Sequence, residues 1–308
     1  MTPTTITPGS IVVAVDGSKH AARAVNWAAE QAHLEKRPLA IVHAAGEGDL
    51  RTAAWAGAGE DRPYVLPDLL HTSRAIVDVA MELARGIRPE LTIQPHSLIG
   101  DPRHVLVQLS DVAHVIVMGS RGRGVLRSML LGSVSASVSK HAACPVVVCR
   151  PLPPGAATHG IVVGADGTPE SVPVIEFAFR QASLRGLPLT VLHCYWDVVA
   201  AVAGVGEVEQ SESTDQDLRL LLSESVAGLS EKYPDVDVTL KLAHGLADEA
   251  LAHMSEPWGL VVVGRHPVHT MSGLLTGSVS TAVLEHASST VVVVPEGEEQ
   301  DQAAPERQ

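Results

Sequence analysis

The stretch Val115-Ile-Val-Met-Gly-Ser-Arg-Gly122, followed nine residues later by Gly132-Ser133, decides how this chain folds. The apolar run predicts a buried strand, and the three glycines after it predict a loop that ends at the start of a helix. Backbone N–H groups in such a loop, together with the positive end of the helix, bind phosphate oxygens. The stretch therefore predicts a strand, loop and helix that hold a phosphate group.

The same stretch recurs later as Gly264-Arg-His-Pro267 and then Gly277-Ser278. The outer spacing is unchanged, but Pro267 replaces the middle glycine. Proline has no N–H group and fixes φ near about −65°, so one phosphate donor is lost. A charge-assisted hydrogen bond contributes about 1.5–3 kcal/mol, and we therefore expect the second loop to bind phosphate more weakly than the first.

Further matches show that the chain is an internal duplication. Asp16-Gly17 matches Asp166-Gly167, and Leu39–His43 matches Leu189–His193, each 150 positions later. From the glycine loop onward the separation is 145 positions, as between Gly132 and Gly277. Length and repeat predict two domains, residues 1–150 and 151–308, of which about 296–308 form a polar tail that we expect to be disordered.

Strands alternate with helices in both halves, which predicts an α/β fold of two tandem doubly wound five-stranded parallel sheets with strand order 3-2-1-4-5. The strands are expected at 11–15, 40–43, 91–98, 115–118 and 145–149, and at 161–165, 189–193, 236–242, 260–263 and 291–294. Pro95 predicts that strand three is an edge strand. Ligands bind where the strand order reverses, so Asp16 and Gly119, which end strands one and four, should meet there.

Charge and composition narrow the possible partners. The net charge of −13 argues against binding to nucleic acid or to an anionic membrane surface. An anionic nucleotide would then need local positive charge, which Arg121, Arg123 and Arg127 can supply. No apolar run is long enough to span a bilayer, the N-terminus lacks the features of a signal peptide, and three cysteines form no disulfide framework. We expect a cytoplasmic protein.

Asp16 after its β-branched strand, His43 at the end of strand two and the glycine loop from Gly119 to Ser133 together resemble the universal stress protein family. The glycines are those of its ATP-binding branch, and the duplication is similar to the two-domain members of actinobacteria. The resemblance implies a Rossmann-like fold of the adenine nucleotide alpha hydrolase type, ATP with or without Mg²⁺ as ligand, and a regulatory role in the stress response. It also implies that the two halves pair through their fifth strands as an intrachain pseudo-dimer; a homodimer of chains is the alternative.

The resemblance assigns roles to positions of this sequence. Ala14 and Asp16 would lie near the ribose and phosphates, the Ala44 backbone would meet adenine, and the loop and following helix would hold the phosphates. With the local arginines, the first site comprises Ala14, Asp16, Ala44, Met118, Gly119, Ser120, Arg121, Gly122, Arg123, Gly132, Ser133 and Val134. The second site, in which Arg265 and His266 could partly compensate for Pro267, comprises Gly164, Asp166, Cys194, Val263, Gly264, Arg265, His266, Gly277, Ser278 and Val279.

Two other functions stay open at this point, a slow ATPase and an interaction scaffold in which the nucleotide is only structural. The loop carries no lysine of the P-loop type, and Ser133 and Ser278 have no evident base beside them. The fifteen histidines form no spaced metal-ligand cluster, and His43 and His193 are interpreted as structural. The sequence therefore predicts no catalytic residue and no metal site, and it does not identify the protein partner or distinguish ATP from ADP or AMP.

Overall fold

The chain folds as a three-layer α/β structure around a single ten-stranded sheet. The structure, a computed structural model, describes residues 6–46, 65–122, 131–151, 159–195, 212–252, 258–265 and 279–296. The strands are β1 Ile11–Ala14, β2 Leu39–Ala45, β3 Ile93–Ile99, β4 Val115–Gly119, β5 Val146–Cys149, β6 Ile161–Gly164, β7 Leu189–Tyr195, β8 Val238–His244, β9 Leu260–Arg265 and β10 Val291–Pro295. The helices are α1 Lys19–Glu35, α2 Val65–Ile87, α3 Pro102–Ser110, α4 Ser133–His141, α5 Val172–Arg185 (after a 3-10 turn at Pro169–Ser171), α6 Glu212–Lys232, α7 Ala247–Ala252 and α8 Val279–His286.

The strand order is β3-β2-β1-β4-β5-β10-β9-β6-β7-β8, which confirms the predicted order 3-2-1-4-5 within each half. Neighbouring strands are parallel in each half. The predicted two sheets are joined into one, because β5 and β10 pair antiparallel with Val291 opposite Val148 and Val293 opposite Val146. This pairing through the fifth strands is the one that the family resemblance implies. The pairing gives hydrogen-bond partners to backbone N–H and C=O groups that would otherwise lie at the open edges of β5 and β10.

Helices cover both faces of the sheet, which explains why the central strands are continuous β-branched runs. The core on one face contains Val13 and Val117 together with buried residues of α1, α2, α5 and α6. The core on the other face contains Val12 and Ile116 together with buried residues of α3, α4, α7 and α8. Successive side chains of one strand point to opposite faces of the sheet, so a strand that is buried on both faces has apolar residues at every position.

Each predicted strand differs from the observed one by one or two residues at one or both ends. Strand β2 continues past His43 to Ala45, because Ala44 and Ala45 pair with Leu98 and Ile99 of β3. The sequence pattern also predicts a helix that begins at Asp68, whereas helix α2 begins at Val65. The predicted edge position of strand three is confirmed by its place at the end of the sheet. The linker positions 152–158 and the tail beyond 296 lie outside the described residues.

The described helices include none that is both long enough and apolar enough to cross a bilayer.

Replacing Val292 at the junction of β5 and β10 tests how much this seam contributes to stability. Val292 is fully buried opposite Val147, so Val292→Ala should lower the free energy of unfolding by about 2 kcal/mol through lost burial and a residual cavity. Val79, which is 66% exposed on α2, provides the control, since Val79→Ala should change stability by less than about 0.5 kcal/mol. Urea denaturation of both variants measures the difference, and equal losses would contradict the expectation.

Candidate functional site

A cavity of about 410 Å³ opens at the carboxyl ends of β1, β2 and β4, beside the N-termini of α3 and α4. This is the point where the strand order reverses, and where ligands bind in open α/β sheets. The cavity is lined by Ala14, Val15, Asp16, Ala21, Val42, His43, Ala44, Pro102, Leu106, Met118, Gly119, Arg121, Gly122, Gly132, Ser133, Val134 and Ser135.

Asp16 and the glycine loop lie next to each other, as the strand order predicts. Asp16 Oδ1 accepts a hydrogen bond from the N–H of Ser18 at 2.9 Å, which fixes the carboxylate at the turn between β1 and α1. A Cβ atom placed on Gly122 would lie 2.9 Å from Asp16 Oδ2. The backbone of the loop can approach the carboxylate this closely only because residue 122 has no side chain.

Gly119 is required for the contact between β4 and the start of α1. A Cβ atom there would lie 2.6 Å from the carbonyl carbon and from the Cβ of His20, far inside van der Waals distance. Gly132 differs, because a Cβ atom at that position would meet nothing closer than 3.5 Å, an ordinary contact. The first glycine of the motif is therefore needed for packing, whereas the third leaves room in front of α4.

The N-terminus of α4 lacks the side-chain cap that the other helices around the cavity have. Ser18 accepts from the N–H of Ala21 at the start of α1, and Asp101 accepts from the N–H of Arg103 at the start of α3. At α4 the cap position is Gly132, which has no side chain to bond the first-turn N–H groups. These donors lie at the cavity wall, together with the positive end of the helix dipole.

Positive charge is concentrated beside the loop. Arg121 lines the cavity, and its Nε is buried without a hydrogen bond to the described part of the chain. His20 lies behind the loop, with Nδ1 3.5 Å from Ser120 Oγ. Burial, followed by the charges of Arg23 and Arg121, holds the pKa of His20 below its usual value. An anion in this part of the cavity would reduce the repulsion among these groups.

His43 and His193 have the structural role that their positions predict. Nδ1–H of His43 donates to the carbonyl of Val15 at 2.7 Å, and that of His193 donates to Ala165 at 2.8 Å. Since a carbonyl only accepts, the Nδ1 atom carries the proton in both rings. Each histidine ties strand two of its half to the segment that follows strand one.

Most residues assigned to the first site from the sequence line the cavity. Ser120 is buried and is not part of the lining, and Arg123 lies outside the described residues. Seven further residues line the cavity and were not expected there from the sequence, namely Val15, Ala21, Val42, His43, Pro102, Leu106 and Ser135. Pro102 and Leu106 could have been found from connectivity, because right-handed crossovers place α3 on the same face as α4.

The second half repeats the architecture, but the part of its site that is described is arranged differently. Asp166 repeats the turn of Asp16, accepting from the N–H of Thr168 at 2.9 Å. A Cβ on Gly164, the counterpart of Ala14, would lie 3.0 Å from Leu251. Burial raises the pKa of Cys194 to about 11. Val263 is buried at the end of β9, and Val279 is partly exposed at the start of α8. His266, Gly277 and Ser278 lie outside the described residues.

Two side chains near Gly264 distinguish the second site from the first. The carboxylate of Glu296 lies directly over Gly264, where a Cβ would collide with it. Arg265 donates from its guanidinium to the carbonyls of Lys140 and Ala142, at 2.5 and 2.6 Å. Arg265 thus binds the end of α4 in the other half, a contact that the expected phosphate role does not include.

Two glycine substitutions test the close approach of β4 to α1. Gly119→Ala should lower stability by about 1–3 kcal/mol, because the new Cβ overlaps the backbone of His20 and forces β4 and α1 apart. Gly132→Ala is the matched control and should cost less than about 1 kcal/mol, because its Cβ would make only ordinary contacts. Thermal unfolding of the two variants measures both effects; a Gly119→Ala protein as stable as the control would refute the close approach.

Comparisons with known proteins agree with this architecture. The universal stress protein family matches residues 9–150 and again residues 158–295. A universal stress protein of Mycobacterium tuberculosis strain H37Rv is 34% identical over 298 residues, covering 92% of this chain and 96% of its own. One from Mycolicibacterium smegmatis is 33% identical over 292 residues, with 92% and 96% covered. The solved structure of a universal stress protein from Archaeoglobus fulgidus shares the fold, with a TM-score of 0.67 at 16% identity over 95% of this chain and 98% of that one. The chain therefore belongs to the universal stress protein family and carries two tandem domains of it.

Proposed function

We propose that this protein is an ATP-binding, nucleotide-dependent regulator of the stress response in the cytoplasm, with a complete first site and a degenerate second site. The observation that carries the proposal is the cavity at the carboxyl ends of β1 and β4, where the uncapped N-terminus of α4 faces Asp16 across the glycine loop. Unpaired N–H groups at a helix start, next to a partly buried arginine, suit the phosphates of a nucleotide.

The opposite wall of the cavity suits the base and the sugar. Val42, Ala44 and Leu106 give an apolar surface for a planar ring, and the backbone of Ala44 is the position that family resemblance assigns to adenine. The volume of about 410 Å³ falls in the range of small-molecule pockets. The Asp16 carboxylate can accept a ribose hydroxyl or share a Mg²⁺ ion with the phosphates, and Mg²⁺ would offset charge repulsion there.

The second site is proposed to bind nucleotide weakly. Pro267 removes one N–H donor from the loop, because proline has no N–H group. The carboxylate of Glu296 beside Gly264 adds negative charge where a phosphate would approach, and the guanidinium of Arg265 is already bonded to the other half. Each of these differences reduces affinity for an anion.

A regulatory role is favoured over catalysis by the side chains that line the first cavity. Among the residues that the structure describes, the titratable groups of the lining are Asp16, His43 and Arg121. Asp16 is held by the turn before α1, and Nδ1 of His43 is bonded to Val15. Neither arrangement supplies an activated base next to the uncapped start of α4. Release of phosphate from ATP at an enzyme-like rate by the purified protein would favour the ATPase alternative instead.

Native mass spectrometry of the full chain with added Mg-ATP tests the inequality of the two sites. We expect one bound ATP in the parent protein, none in Gly122→Pro and two in Pro267→Gly. The first substitution removes a backbone N–H donor from the first loop, and the second restores one to the second loop. Two nucleotides in the parent would show that Pro267 is tolerated. No binding to any form would favour the scaffold alternative.

Removal of the Arg121 side chain tests the charge at the first site. Arg121→Ala should weaken ATP binding by about tenfold or more, since a hydrogen bond to a charged group contributes about 1.5–3 kcal/mol. Arg74, which is exposed on α2 in the same half, gives the control variant Arg74→Ala with the same change of charge. Titration calorimetry measures both dissociation constants, and AMP should show a smaller difference than ATP because it has fewer phosphates.

A further inference from the structure

Helices α1 and α5 occupy equivalent positions in the two halves, yet they carry opposite charges at two equivalent sites. Glu30 and Glu35 of α1 correspond to Arg180 and Arg185 of α5, each 150 positions later. The glutamine between them is the same in both helices and is buried in both, as Gln31 and Gln181. The duplication has therefore kept the neutral residue and reversed the charged ones.

These residues meet across the boundary between the halves. The Nε of Arg180 lies 3.7 Å from Oε1 of Glu35, whose side chain is only 6% exposed. Arg185 donates to Oε1 of Gln31 at 2.5 Å, and Nε2 of Gln31 donates to Oε1 of Glu35 at 2.8 Å. The guanidinium of Arg185 also stacks 5.0 Å from the ring centroid of Trp27 on α1. One continuous polar network thus links first-half carboxylates to second-half guanidinium groups.

The surroundings of each site match its own charge. Glu35 contacts Arg37 Nε at 3.1 Å and His114 Nε2 at 2.7 Å within the first half. The sequence counterparts of Arg37 and His114 are Leu187 and Gly259, so no cation stands beside Arg185 at these positions. Cationic side chains therefore stabilise the carboxylate of Glu35 in the first half, and neutral residues replace them at the equivalent positions near Arg185 in the second half.

The titration of both groups reflects the same pairing. Burial alone would raise the pKa of Glu35, but the hydrogen bond and charge of His114, the charge of Arg180 and the bond from Gln31 lower it below the usual value. Burial lowers the pKa of Arg185, and the charges of Glu30 and Glu35 oppose that effect. Glu30 is also held by Arg88 at 2.7 Å within the first half.

The two strands at the boundary have identical residues at their paired positions. Strand β5 presents Val146, Val147 and Val148, and β10 presents Val291, Val292 and Val293 to it. A first half facing a second copy of itself would offer the same three valines and the same main-chain hydrogen bonds. Any preference between a like and an unlike partner must come from side chains other than these six valines.

We propose that the reversed charges of α1 and α5 form a recognition surface through which a first half accepts a second half as its partner and rejects another first half. In the unlike pair, two carboxylates face two guanidinium groups. In a pair of first halves four carboxylates would meet, and in a pair of second halves four guanidinium groups would meet. Like charges brought together at a partly buried interface cost several kcal/mol, so each like pairing is disfavoured.

Converting the second half to the charges of the first half reproduces the like pairing inside one full-length chain. The variant Arg180→Glu/Arg185→Glu places four carboxylates at the boundary, and Arg180→Gln/Arg185→Gln removes the attraction without adding repulsion. We expect the glutamate variant to have an unfolding equilibrium constant at least about tenfold larger than that of the glutamine variant, measured by urea denaturation. The control Arg74→Glu/Arg219→Glu makes the same charge change at exposed sites, one in each half, and should show little loss.

A second background separates charge recognition from lost packing. When Glu30→Gln/Glu35→Gln is combined with Arg180→Glu/Arg185→Glu, the extra tenfold loss of stability relative to the glutamine variant should disappear. The reason is that α1 then has no carboxylate at the boundary to repel the two new ones. High salt should stabilise the four-carboxylate variant relative to the parent. Screening weakens the repulsion between carboxylates in the variant, and it weakens the attraction between carboxylates and guanidinium groups in the parent.

Equal stability of the glutamate and glutamine variants, or an undiminished loss in the Glu30→Gln/Glu35→Gln background, would overturn the proposal. A four-carboxylate variant that does not fold supports it if the combined variant folds. If the combined variant also fails to fold while Arg180→Gln/Arg185→Gln does fold, packing rather than charge decides the pairing and the proposal is wrong.

Discussion

The pairing of β1 with β4 is the constraint on which the rest of the structure depends. Ile11 lies opposite Val115, two residues that are remote in sequence and neighbours in the sheet. The chain reaches β4 only after crossing to β2 and β3 on one side of β1, and the right-handed crossovers send α1, which follows β1, and α4, which follows β4, to opposite faces of the sheet. The diverging helices leave a cleft at the carboxyl ends of these two strands, and Asp16 and Gly119 are placed there by main-chain geometry alone.

Much of the fold was predictable because the central strands are buried on both faces. Continuous runs such as Ile11–Val15 and Val146–Val148 leave little choice of structure, and the strand order follows from connectivity rules. The end of β2 was not predictable, because Ala44 and Ala45 are held in the strand by their register with β3 and not by their own β-propensity. Pattern predicts which segments form strands, but cross-strand pairing decides where they end.

Some residues of the candidate site could likewise be predicted from the sequence, and others could not. Asp16 and the glycines could be identified because each follows a predicted strand at the edge where ligands bind. Connectivity places α3, with Pro102 and Leu106, on the same face as α4, but the sequence holds no direct signal for which α3 side chains line the cavity. Arg265 shows a further limit, since its partners Lys140 and Ala142 belong to the other half of the chain. A contact between duplicated units depends on their docking, which neither unit encodes by itself.

Joining the halves through β5 and β10 also determines how the chain can meet other chains. Each five-stranded unit alone would expose two open sides, and the described ten-stranded sheet has only its outermost strands, β3 and β8. Pro95 interrupts the row of N–H groups along β3, and the exposed Lys241 stands in the middle of β8. Prolines and lysines at such positions hinder strand addition by a neighbouring molecule. The fusion of the two units therefore covers the valine-rich fifth strand of each with that of the other, and the described sheet ends at two strands that are poorly suited to edge-to-edge association.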